Sequence, residues 1–227
     1  MPGFHLLGFI ILVAVISAIL YIAFFIYTRA FAEMGFSAFD AIIILMLTII
    51  FRYPIYINGT DISNFYLFSY NNWIVCINIG GGVIPIVISL YLMIKRRISP
   101  LKILIALVVV SFFAYNVTYP DPREGIVSPF PFWLLPAIVS SVVSAILYVK
   151  EQRKAAPAAY ISGTLGVLIG ADFLHLPELL SYNLNKPVIA SIGGANVFDM
   201  IYITGILAAF LDGILFVRRR RYSYDEI

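Results

Sequence analysis

Residues 5–27 read HLLGFIILVAVISAILYIAFFIY, a run with no Asp, Glu, Lys or Arg. A membrane-crossing helix needs about 20 mostly apolar residues. This stretch exceeds a signal-peptide core and no basic segment precedes it, so it is expected to be retained as a span. The rest of the chain has the same character. Of 227 residues, 62% are hydrophobic and 12% charged, and the mean hydropathy is +0.97. Soluble domains run at about 45–50% apolar and about 25% charged. A globule of this size cannot hide so much apolar surface, so the excess must face lipid. That excludes a soluble enzyme, a nucleic-acid-binding module and a disordered chain. One cysteine, Cys76, allows no internal disulfide, and no Cys/His spacing suggests a metal. No cofactor is expected.

The fold class expected is all-α: one integral-membrane domain over 1–227, a transmembrane bundle of about seven spans in the cell membrane. The spans are placed at 5–27, 36–51, 73–94, 101–116, 132–149, 156–177 and 190–217. Cytoplasmic flanks are enriched in Lys and Arg. With the N-terminus outside, Arg29, Lys95, Arg96, Arg97, Lys102, Lys150, Arg153, Lys154 and Arg218 to Arg221 are cytoplasmic, while Arg52, Arg123 and Lys186 are not. The C-terminus is then cytoplasmic, and 218–227 is a short basic tail that stops the last helix. The exterior loops hold two glycosylation sequons, at Asn58 and Asn116. They also hold the stretch 119–132, stiffened by Pro120, Pro122, Pro129 and Pro131, which is too proline-rich for helix and suited to lie over the outer mouth of the bundle.

A carboxylate on a membrane helix costs about 2.5–3.5 kcal/mol near the centre, so it faces the bundle interior and marks function. Asp40 and Asp212 fall near helix ends, where headgroups or basic residues such as Arg29 and Arg218 are expected to partner them. Asp172 and Asp199 fall deeper. At about 1.5 Å of rise per residue, Asp172 lies about 24 Å from Ala156 and Asp199 about 27 Å from Val217. The two helices run in opposite directions, so both acids arrive at one level in the outer half of the bilayer. Asn78 and Asn196 fall at the same level. Glycines flank these groups: Gly80-Gly81-Gly82 before Pro85, Gly163, Gly166 and Gly170 before Asp172, and Gly193-Gly194 before Asn196. Glycines permit close helix approach. Three in a row followed by proline predict a broken helix. Asn78-Ile79-Gly80-Gly81-Gly82 parallels Ser191-Ile192-Gly193-Gly194-Ala195, and paired Gly-interrupted segments point to a site at a repeat interface. His175, at i+3 from Asp172, is either a proton-relay partner or an interfacial anchor.

The run Ser162-Gly163-Thr164-Leu165-Gly166-Val167-Leu168-Ile169-Gly170-Ala171-Asp172, the run Ile192-Gly193-Gly194-Ala195-Asn196-Val197-Phe198-Asp199, and Asn78-Ile79-Gly80-Gly81 upstream resemble a prokaryotic membrane family of unknown function, DUF1614. The resemblance implies a compact multi-span protein and no particular activity. A second resemblance bears on mechanism. Gly170-Ala171-Asp172 is similar to the Gly-x-Gly-Asp signature of intramembrane aspartyl proteases such as presenilins, signal peptide peptidases and prepilin peptidases. Phe198-Asp199, with Gly205 beyond it, is similar to their Tyr-Asp motif, and Pro136-Ala137-Ile138 to their Pro-Ala-Leu. Here the two acidic motifs stand in reverse order, with Ala171 and Phe198 replacing a glycine and the tyrosine.

Three functions fit. In an intramembrane aspartyl protease, Asp172 and Asp199 are the catalytic pair, and Asn78, Gly80, Gly81, Gly193, Gly194 and Asn196 shape a groove for a membrane peptide. In a small secondary transporter, the same layer binds an ion or small solute, and the break after Gly80 is a hinge. In a structural or lipid-binding protein, the buried acids are paired internally. The lipid bilayer is the common partner, nucleic acid is not one, and the small size suits a homo-oligomer.

Overall fold

The structure, a computed structural model, describes residues 2–194 and 200–224, with side chains described for 7–194 and 200–215. It is mostly helical with small sheets. Helix α1 (Pro2–Met34) is followed at Gly35 by a turn into α2 (Ala38–Arg52). Ser37 and Asp40 close a capping box there, with the Asp40 amide donating to Ser37 Oγ at 3.1 Å and the Ser37 amide to Asp40 Oδ2 at 2.9 Å. Asp40 therefore serves a helix terminus, not the basic partner expected of it. Arg29 pairs instead with Glu33, one turn on, at 2.6 Å.

After α2 the chain leaves helical geometry. A small hairpin pairs β1 (Tyr56–Ile57) with β2 (Thr60–Asp61). Its turn places Asn58 and Gly59 at φ +50° and +80°, the left-handed pair that a two-residue hairpin of this twist requires. Strands β3 (Asn64–Tyr70) and β4 (Trp73–Asn78) then run antiparallel, with Leu67 bulged out of register. Trp73–Asn78 was expected to begin a helical span. Its β-branched run Ile74-Val75, the Asn71-Asn72 turn before it and the glycines after it make a strand instead. A widened helical segment, Ile79–Val83, carries the chain into α3 (Ile84–Lys95), so the predicted break falls at the strand-to-helix junction, with Pro85 in the tolerated first turn.

Helix α4 (Pro100–Asn116) leads to a second hairpin, β5 (Tyr119–Asp121) with β6 (Gly125–Val127), in the proline-rich stretch. Helix α5 (Leu135–Leu147) returns, and α6 (Ala155–Val167) passes through a widened turn, Leu168–Phe173, into α7 (Leu174–Ser181). Strand β7 (Val188–Ile192) then lies parallel to β4, Trp73 opposite Val188 and Ile77 opposite Ile192, giving the sheet order β3-β4-β7. This too corrects the all-helical expectation, since Ala190–Ile192 was placed in the last span. Helix α8 (Met200–Tyr224) closes the chain.

Among the described residues, two helices are long and apolar enough to cross a membrane. Leu7–Met34 has a mean hydropathy of 3.0 over its most apolar window, none of it buried. Gln152–Ser181 has 1.3, with 67% of the window inside the protein. The latter, α6 with α7, is the core around which α4, α5 and α8 pack. Its fit rests on small residues. A side chain at Gly166 would strike Val110, and one at Gly170 would come within 2.3 Å of the Ser111 carbonyl oxygen. Of the other apolar helices, Ile79–Lys95, Pro100–Asn116 and Phe132–Leu147 run 10–17 residues, short of the about 20 that a bilayer core takes, while α8 runs 25. Strands gather at one end of the bundle. At the other end Arg96 donates to the Met34 carbonyl at 2.8 Å and Lys102 meets Glu151 at 3.1 Å, while Arg52, Arg123 and Lys186 adjoin the strands.

Candidate functional site

A cleft of about 630 Å³ opens at the strand end. One wall is β7 with Gly193 and Gly194. The second is the β5–β6 hairpin, through Arg123, Glu124 and Ile126. The third is helical, from Val167, Ala171 and Asp172 on the α6–α7 rod and Met200, Ile201 and Ile203 on α8. Trp73 and Trp133 complete it. Asp172 is half-buried and sits in the widened turn Leu168–Phe173. A turn with more than 3.6 residues rotates the following side chains off the regular helical face, and such turns concentrate at functional sites.

Strand β7 has only β4 as a neighbour, so its second edge is unpaired by any described strand. Val188 to Ile192 of this strand line the cleft together with Asp172 of the helical wall. Gly193 follows at φ +72°, where a side chain would come within 2.4 Å of the Gly82 amide. Two glycine-rich turns thus cross backbone to backbone, and this close approach is what both Ile-Gly-Gly strings serve. The strings are not in register, because Ser191 stands opposite Cys76 while its sequence counterpart is Asn78.

Of the residues expected at the site, Asp172, Gly193 and Gly194 line the cleft and Asn78, Gly80 and Gly81 do not. Asn78 is 1% exposed. Its Oδ1 accepts from the Gly81 amide at 3.0 Å, and its Nδ2 donates to the carbonyls of Arg52 and Ser63 at 3.3 Å. It is an N-cap and a latch between the sheet and α2. Gly80 packs on α2, where a side chain would meet the Thr48 carbonyl oxygen. Asn196 and Asp199 lie outside the described residues, but the chain on either side, at Gly194 and Met200, lines the cleft. His175 turns away from it: its ring stacks on Tyr115 with centroids 4.4 Å apart, and Nε2 lies 3.1 Å from the Tyr115 carbonyl oxygen.

The cleft's frame is stiffened by carboxylates outside the helices. Backbone amides of Arg123 and then Glu124 donate to Asp121 and hold its carboxyl below the usual carboxylate range, which fixes the β5–β6 turn. Burial would raise Asp61, yet the Asn64 amide and the backbone of Ser63 and Ile55 hold it low. Asn64 Oδ1 in turn accepts from Ser191 Oγ at 2.6 Å, which ties β3 to β7. Trp73 Nε1 donates to the Tyr182 carbonyl at 3.1 Å and anchors the strand end to the chain after α7. Among the described residues no group of three or more His, Cys, Asp or Glu could hold a metal.

The family described as "Protein of unknown function (DUF1614)" matches residues 40–211, well over half the chain. No curated protein and no solved structure matches it. The chain belongs to the DUF1614 family.

Proposed function

We propose that this DUF1614 protein is a multi-pass membrane hydrolase that cleaves an extended segment of a membrane protein, with Asp172 and Asp199 as an aspartyl pair. The reading rests on seven crossings, N-terminus outside and C-terminus cytoplasmic, which the sorting of Lys and Arg along the sequence supports. The observation that carries it is the presence, in one cleft, of a carboxyl on a widened turn and of β7, whose second edge pairs with no described strand. A helical substrate hides its scissile bond, so it must be drawn out. An unpaired strand edge holds an extended peptide by main-chain hydrogen bonds. That is the recognition the notion of a groove at Gly193 and Gly194 requires.

Two carboxyls within about 3 Å share one proton, because both cannot ionise. The ionised member takes a proton from water as the water oxygen bonds to the peptide carbon. The protonated member gives its proton to the carbonyl oxygen. In the second step the C–N bond breaks, the amine leaves with the proton taken from water, and the carboxylic acid product forms as the other carboxyl recovers its own. Each proton transfer contributes about 10²–10⁴-fold. Asp172→Asn and Asp199→Asn, purified and reconstituted with single-span peptides, are each expected to lower cleavage at least about 10²-fold. Wild-type rates in both variants exclude the reading.

A small-solute or ion carrier is the second reading. The hydroxyl of Thr204 favours it, since it is buried without a hydrogen-bond partner among the described residues where α6 meets α8, beside the hydrogen-bonded pair Tyr160 and Thr164. Unsatisfied buried hydroxyls mark a route for water or an ion. Ion-dependent uptake that collapses in Thr164→Val and Thr204→Val, with no cleavage by wild type, selects the carrier.

A further inference from the structure

Strand β3 is an anomaly for any protein surrounded by water. It carries no charged residue from Asn64 to Tyr70, yet Phe65 and Tyr66 are 63% and 61% exposed, and Leu67, Phe68 and Tyr70 are exposed with them. It is also the far edge of its sheet, so its outer backbone groups pair with no described strand. In water, a bare apolar edge strand of this kind aggregates.

Its surroundings say what covers it. The exposed apolar flank of α2, through Met46, Ile49 and Ile50, runs without interruption into Tyr53 and Tyr56 beside the strand. Exposed aromatic side chains recur around the same end of the bundle, at Tyr115 where α4 stops and at Phe130 and Phe132 ahead of α5. Tyrosine and phenylalanine rings favour the boundary between headgroups and acyl chains. The free edge sets the depth. Unpaired N–H and C=O groups cannot lie in hydrocarbon, where each costs several kcal/mol, whereas hydrated headgroups satisfy them. Rings that prefer acyl chains and a backbone edge that needs water fit together at one level.

We propose that β3, with Tyr53 and Tyr56, is a lipid-docking strand that lies along the outer boundary of the bilayer, rings toward the acyl chains and free edge among phospholipid headgroups. The short helices then need no extra length, because the strand layer occupies the interface that longer helices would reach. The inference rests on the multi-pass reading but not on the chemistry of the cleft.

The test uses the full chain with Cys76→Ser and single cysteines replacing Tyr66, Phe68 or Leu12, each labelled with an environment-sensitive fluorophore. The proteins are reconstituted in phosphatidylcholine vesicles whose lipids are brominated near the glycerol or near the methyl end. Labels at Tyr66 and Phe68 are expected to be quenched about twofold more by the glycerol-end bromines. The Leu12 label, on α1, is expected to respond more to the methyl-end bromines. Silent Tyr66 and Phe68 labels beside a quenched Leu12 label overturn this inference alone, and an unquenched Leu12 label overturns the multi-pass reading. Emission at Tyr66 that shifts on dilution of the protein in lipid marks a second copy as the occupant, which also overturns it. If Cys76→Ser does not fold, the labels are read with Cys76 in place, since that thiol is 6% exposed and shielded from reagent.

Discussion

Helix α1 and the rod formed by α6 and α7 are both apolar and long enough to span a bilayer, yet the first is bare over residues 7–25 and the other is the centre of the molecule. The difference lies in side-chain size. Residues 7–25 of α1 are dominated by Ile, Leu, Val and Phe, and all are exposed. Helix α6 carries Ala158, Ala159, Ser162, Gly163 and Gly166, which are buried. In lipid there is no hydrophobic gain from bringing helices together, so close backbone approach and hydrogen bonds decide which helix is enclosed. Ser140 Oγ, for example, donates to the Ala159 carbonyl at 2.7 Å across the α5–α6 contact. Hydropathy finds both helices; small residues tell them apart.

Substitutions sharpen that contrast. The largest effect is expected at Gly170, whose new side chain would meet the backbone of Ser111, which cannot swing aside. Gly170→Leu is expected to destabilise by about 3 kcal/mol or prevent assembly, and Gly170→Ala by about 1–2 kcal/mol, read by unfolding in denaturing detergent mixtures. A neutral Gly170→Leu would contradict the packing argument.

An intermediate effect of opposite sign is expected where α1 does dock. Its last turns bury Tyr27, Ala30, Phe31 and Met34, and Glu33 lies over Gly213 of α8. Next to it Asp212 is 1% exposed, and its Oδ1 has no hydrogen-bond partner among the described residues. The pairing expected with Arg29 does not occur, because Arg29 holds Glu33, and the side chain of Arg218 lies outside the described residues. Asp212→Asn removes an uncompensated carboxyl and is expected to leave stability unchanged or raise it by about 1 kcal/mol in the same assay. A loss above about 2 kcal/mol would show that the carboxyl holds the helices together. The smallest effect belongs to the bare part of α1, where Ile16→Ala is expected to change stability by less than about 0.5 kcal/mol.

The same contrast explains how far the fold could be read in advance. Helices α2 and α4 stand close to their expected places, because each is a single apolar period between a cap and a stop, Ser37 to Arg52 and Pro100 to Asn116. Strands β4 and β7 were hidden. Each is a five- or six-residue apolar run leading through glycines toward a helix, and a twenty-residue hydropathy window averages across the change of period. At the cleft, Asp172, Gly193 and Gly194 were legible from the cost of a membrane carboxylate and from paired glycines. Asn78 was expected at the site because a polar residue at membrane depth suggests a ligand, and the structure places it as an N-cap. The overlooked signal was local, an Asn immediately before a helical segment, which is an N-cap pattern. Trp73, Arg123 and Glu124 carried no sequence signal, since only the sheet and the β5–β6 hairpin bring them to the cleft.

The proposed aspartyl pair requires Asp172 and Asp199 to meet in one site. Asp172→Cys and Asp199→Cys combined with Cys76→Ser, oxidised in native membranes, test it directly, since a disulfide needs Cα atoms within about 7 Å and a short bis-thiol linker only slightly more reach. The account predicts rapid, near-complete cross-linking by oxidation or by the shortest linker. Cross-linking only through long, flexible reagents, with both single-cysteine variants folded, contradicts it.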